Sequence, residues 1–127
     1  MTSIQIVSST QQWSKLCKQN EKSFSVMSYN ILLPNLVDGW WIRKNYAPDV
    51  DEIYRDWSHR HKLLREQLLE AIPTIICLQE ASAASFEEDF LFLKEAGYEN
   101  VLHKKFRFRT ATFWQRDRFD LEVVHHK

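Results

Sequence analysis

Two residues in this 127-residue chain have the type and the placement to hold a hard cation. Asn30 closes one strand-like segment, Phe24 to Asn30, and Glu80 closes off another, Thr74 to Gln79. An amide oxygen beside a carboxylate suits Mg²⁺, with Mn²⁺ as the second choice, because such ions take oxygen ligands and keep several waters. Each residue also has a plain structural reading. Asn often ends a strand by starting a turn, and a Glu after a strand is often a solvated loop residue.

The pair can act together only if the two segments lie side by side and run the same way. In the first, Phe24, Val26 and Ser28 alternate with Ser25, Met27 and Tyr29. In the second, Ile76 and Leu78 lie on one face and Ile75 and Cys77 on the other, which predicts a strand covered on both sides. Between them, Tyr54, Trp57, Leu64, Leu68 and Ala71 recur at helical spacing from about Ile53 to Ile72, and Pro73 stops the helix. Strand, helix and strand make a crossover unit with parallel strands. That brings Asn30 and Glu80 to one edge, beyond the carboxyl ends of the strands, where ligands bind in open α/β sheets.

The remaining elements follow from the same patterns. A second amphipathic helix is expected from about Ser85 to Ala96, with Phe86, Phe90 and Leu93 inward, Glu87, Glu88 and Asp89 as a solvated first turn, and Gly97 just past its end. Strands are expected near Tyr98 to His103, Thr110 to Trp114 and Asp120 to Val124. Residues 1–21 are polar and are expected to form an extension with a short helix from Ser9 or Thr10 carrying Trp13, Leu16 and Cys17 on one face. Residues 31 to 53 show no period and hold Trp40 and Trp41; paired Trp there serve either to stack a base or to cover the sheet edge.

Composition narrows the function classes. Seventeen Lys+Arg balance seventeen Asp+Glu, so binding nucleic acid by bulk charge is not favoured. Locally the balance fails: from His103 to Arg118 six basic residues meet one acid. If this stretch were one strand, Lys105, Arg107 and Arg109 would share a face opposite Phe106 and Phe108. The bland reading is a half-buried edge strand with a solvated basic face; the functional one is phosphate contact with base stacking, to which Trp41 could add. His59 and His61 diverge on a helix and cannot share a metal. Two cysteines 60 residues apart, no signal-peptide pattern and no apolar run long enough for a membrane helix give an intracellular setting, cytoplasmic or nuclear, as the expectation.

Val26-Met27-Ser28-Tyr29-Asn30-Ile31-Leu32, then Trp57 and Arg60 on a Leu-rich helix, then Ile75-Ile76-Cys77-Leu78-Gln79-Glu80, resemble the opening half of the endonuclease/exonuclease/phosphatase superfamily. The similarity lies with the carbon-catabolite-repression deadenylases and the nocturnin and Angel proteins. Gly97-Tyr98 and Ala111-Thr112-Phe113-Trp114 followed by Phe119 continue it, so that residues 22 to 124 are covered. The resemblance implies an α/β fold, the N-terminal half of a four-layer α/β sandwich with helices on one face of a mixed sheet. It implies Mg²⁺-dependent cleavage of a phosphodiester or phosphomonoester, RNA- or nucleotide-directed and 3′-5′ exonuclease-like, with Glu80 as metal carboxylate and Asn30 as its companion. The family's later Asp-x-Asn and Ser-Asp-His motifs do not occur, and Arg109-Thr110 stands where the deadenylases usually carry Asp-Gly. The expectation is therefore a truncated domain over 22–127 with only the first half of an active site. The alternative is a catalytically inactive interaction module. An uncovered inner sheet face would favour self-association.

Overall fold

The computed structural model describes residues 22–34, 49–106 and 108–125. The expected N-terminal helix, Trp40, Trp41, Arg107 and most of the long loop lie outside the described residues. The elements are β1 (Val26–Asn30), α1 (Glu52–Arg55), α2 (Trp57–Ala71), β2 (Ile75–Ser82), α3 (Phe86–Asp89), α4 (Leu91–Glu95), β3 (Tyr98–Leu102) and β4 (Phe108–Gln115). One four-stranded sheet has the order β1-β2-β4-β3. β1 and β2 are parallel, as the crossover pattern predicts, and the other pairs are antiparallel.

The helices pack on one face of this mixed sheet. Ile76, Leu78, Ala111 and Phe113 from the strands meet Trp57, Leu64, Leu68, Phe86, Phe90 and Leu93 in one buried cluster. Each fully buried large side chain contributes about 1.5–3 kcal/mol. The opposite face carries Ile75, Cys77, Thr112 and Trp114, all half-buried, so among the described residues helices cover one side of β2 and not both.

Several boundaries differ from the sequence reading for local reasons. The first helix is split at Asp56, whose extended backbone (φ −68°, ψ 141°) ends α1 and opens α2. Tyr54, on the α1 side of that break, is exposed rather than inward. The second helix is interrupted at Phe90, and Asp89 is buried rather than solvated. The break turns its carboxylate inward, where it accepts hydrogen bonds from Trp57 Nε1 at 2.8 Å and Ser85 Oγ at 2.6 Å. Gly97 has φ +96°, the left-handed conformation expected just past a helix end. Residues 120–124 form no strand.

Two sets of polar contacts fix β1 at its ends. At its start, Ser25 and Thr74 bond reciprocally: Ser25 N–H donates to Thr74 Oγ1 at 3.1 Å and Thr74 N–H to Ser25 Oγ at 2.9 Å. This sets the register Val26↔Ile75 through Asn30↔Gln79. A one-residue slip would move every side chain of β1 to the other face. Beyond its end, the Arg60 guanidinium donates to the carbonyls of Ile31 (2.8 Å), Leu32 (2.7 Å) and Leu33 (2.9 Å) and lies 5.2 Å from the centre of the Trp57 ring. Arg60→Met keeps the stem and removes the donors to these three carbonyls and to Arg55 O; urea unfolding should show a loss of about 3 kcal/mol, and a loss below about 0.5 kcal/mol would contradict this role.

Candidate functional site

Asn30 and Glu80 meet at the carboxyl ends of the parallel pair. Asn30 Nδ2 donates to Glu80 Oε1 at 2.9 Å. Asn30 Oδ1 accepts from the Leu32 backbone N–H at 2.8 Å. The two contacts orient the amide unambiguously, because a carboxylate needs a donor and an N–H needs an acceptor. The Asn30 oxygen is thus engaged by its own turn, and the amide holds the carboxylate.

A β-bulge delivers Glu80 to this contact. β2 runs three residues further than the sequence reading, to Ser82, and its register on β4 shifts between Leu78 and Ala81. Leu78 pairs with Ala111 and Ala81 with Arg109, so Gln79 and Glu80 together oppose Thr110. Strict alternation would put residue 80 on the helix-covered face with Ile76 and Leu78. Ala81, fully buried, takes that place instead, and Glu80 adopts φ +64°. A left-handed glutamate costs about 1–3 kcal/mol, and bulges of this kind re-aim a side chain. Leu32, which anchors Asn30, is also left-handed at φ +49°.

Among the described residues, one oxygen of the site has no protein partner. Glu80 Oε2 is buried and makes no hydrogen bond. An unsatisfied buried carboxylate oxygen is costly unless a further group meets it, and a hard cation is the chemical match. Among the described residues no three His, Cys, Asp or Glu side chains gather as a complete metal cage. His61 serves the core, its Nε2 lying 2.6 Å from Asp89 O, and His59 stacks edge-on against Tyr54. A cleft of about 260 Å³ opens beside Asn30, between the exit of β1 and α2, and is lined by Tyr29, Leu32, Trp57, Arg60 and Gln67 among others.

The basic stretch is not the single alternating strand that sequence spacing suggests. β3 ends at Leu102 and β4 starts at Phe108, with Lys104, Lys105 and Phe106 in the hairpin tip between them. Lys105 is exposed there, its backbone N–H donating to His103 Nδ1 at 3.3 Å. Arg109 pairs with Ala81 in the ladder, and its Nε donates to Phe106 O at 2.7 Å, so it braces the tip. Phe106 sits at φ +70° and is 80% exposed. The register places the tip at the same end of β2 as Glu80.

Sequence patterns miss four features: the bulge, the left-handed Glu80, the Leu32 turn and the clamp by Arg60. Left-handed backbone is signalled by Gly or Asn, and neither stands at these positions. Arg60 stands among the residues that carry the resemblance, but its clamp on the carbonyls after β1 leaves no signature in the sequence.

No family model matches the chain. Individual proteins do. RNA exonuclease NGL1 of Saccharomyces cerevisiae is 35% identical over 123 residues, covering 95% of this chain and 32% of NGL1. The CCR4-Not complex 3′-5′-exoribonuclease subunit Ccr4 of the same yeast is 30% identical over 114 residues, covering 80% of this chain and 13% of Ccr4. The chain thus spans about a third or less of the curated relatives it matches. Among solved structures, ANGEL2, a 2′,3′-cyclic phosphatase, superposes with a TM-score of 0.70 at 24% identity, over 80% of this chain and 30% of that one. The chain is therefore a homologue of part of NGL1 and Ccr4, and its fold is that of part of the ANGEL2 structure and of an endonuclease/exonuclease/phosphatase from Bacteroides vulgatus.

Proposed function

We propose that this chain carries the first half of a metal-dependent phosphoesterase site, directed at RNA or a nucleotide, with residues 22–127 as the partial domain and 1–21 as an extension to it. The observation that supports this best is the divided role of the Glu80 carboxylate. Oε1 is held by Asn30, while Oε2 is buried without a partner. In this reading Oε2 is the ligand atom for Mg²⁺, or Mn²⁺ in its place, and Asn30 is the residue that orients it. When bound, such an ion polarises a phosphoryl oxygen and steadies the leaving oxygen. The chain's own work is to keep the carboxylate aimed and unable to turn away. Cleavage of RNA is supported by the exonuclease activities for which NGL1 and Ccr4 are named, and a phosphatase reaction by that of ANGEL2. The chain's own motifs nominate no general base.

A second reading is supported by the half-buried Ile75, Cys77 and Trp114 on the sheet face opposite the helices. An apolar face of that kind suits pairing, either with a second copy or with another chain, and the fragment would then be an interaction module. Sedimentation separates the two-copy form from the monomer: self-association at tens of micromolar, on the order expected for a modest apolar interface, supports it, and a clean monomer counts against it.

The metal reading is tested by Mn²⁺ titration calorimetry on the 127-residue chain. Glu80→Gln should abolish binding, because the amide leaves no charged ligand. Asn30→Ala should weaken it by about 10- to 100-fold, the usual effect of removing a group that orients a ligand. Unchanged Mn²⁺ affinity in Glu80→Gln would refute the reading.

A further inference from the structure

We propose that the β3–β4 hairpin tip, Lys104-Lys105-Phe106 with Phe108 at its base, is a contact site for single-stranded nucleic acid. A half-buried edge strand would need a buried phenylalanine face, and the structure does not provide one. Phe106 is 80% exposed and Phe108 39% exposed. The backbone that carries the Phe106 ring is also held in place. Phe106 adopts φ +70°, a conformation that disfavours any residue but Gly or Asn, and Arg109 Nε pins its carbonyl at 2.7 Å.

Charge chooses the kind of ligand. Four of the eight residues from His103 to Thr110 are Lys or Arg and none is acidic, in a chain whose formal net charge is zero. A polyanion is the match. The exposed rings select further, since a base with a free face stacks on an aromatic side chain, whereas an acidic peptide supplies no such face. Duplexes keep their bases covered, so the ligand is unpaired. Lys104 and Lys105 then meet phosphates and Phe106 a base. Ala81↔Arg109 and Ser82↔Phe108 in the ladder put the tip at the same end of β2 as Glu80. A strand gripped at the tip would run towards that carboxylate. This last direction rests on the phosphoesterase reading; the grip itself does not.

The test is fluorescence anisotropy with the full chain, EDTA present, and labelled RNA and DNA oligomers of about ten nucleotides. Excluding metal keeps failure of the Glu80 reading from affecting the result. Phe106→Ala and Phe106→Leu should each weaken binding about tenfold with the salt dependence unchanged, because stacking is removed and no charge is. Lys104→Ala with Lys105→Ala should flatten the salt dependence by about 1.4 in log-log slope, roughly 0.7 for each phosphate that no longer meets a lysine. An oligomer lacking bases should bind the wild type and Phe106→Ala alike. Binding of RNA, of DNA or of both supports the site and names its source. Wild-type affinity in both Phe106 variants, or equal displacement by polyglutamate at matched charge, would overturn the proposal.

Discussion

A single hydrogen bond, from the Asn30 amide to one oxygen of Glu80, is the contact on which the candidate site depends. It exists only because three separate constraints agree. The reciprocal Ser25 and Thr74 bonds set the register of β1 on β2. The bulge at Gln79 and Glu80 turns the carboxylate off the helix-covered face. The turn at Leu32 orients the amide, and Arg60 holds the carbonyls of that turn. Without any one of them, the two residues would be present in the chain and apart in space.

Backbone strain is distributed in the same way. Of the four non-glycine residues with positive φ among the described residues, Ile72 is explained by the helix end before Pro73, where its N–H still bonds to Leu68 O. The other three, Leu32, Glu80 and Phe106, lie where β1 ends, in the bulge near the end of β2 and in the hairpin tip beside it. At about 1–3 kcal/mol each, they need offsetting elsewhere. The buried cluster around Leu68, Ile76, Leu78, Leu93 and Phe113 is the available source, and it lies on the opposite side of β2 from the half-buried face. Packing and site are thus separated across one strand.

How much of this is legible in the sequence depends on the kind of signal. Apolar periodicity speaks for burial, so Phe86, Phe90, Leu93, Leu64 and Leu68 read inward and are inward. Strand-helix-strand order speaks for parallel pairing, and β1 and β2 are parallel. Left-handed conformations at Glu80 and Phe106 carry no residue signature, so neither the bulge nor the tip is readable. Alternation of Lys, Phe and Arg after His103 imitates a strand because period two is also what a charged loop with interleaved aromatics can show. Asp89 reads as solvated for a similar reason: three acids in a first turn are ordinarily exposed, and only the break at Phe90 turns one of them onto Trp57.

The central claim is that the second oxygen of Glu80 is kept free for a divalent ion while the first is held by Asn30. The most direct measurement is a crystal structure grown with Mn²⁺ and phased on the metal's anomalous signal. The account predicts a peak about 2.1 Å from Glu80 Oε2, with the Asn30 Nδ2 to Oε1 contact intact. A peak elsewhere, or an Oε2 atom satisfied by another protein group, would contradict it.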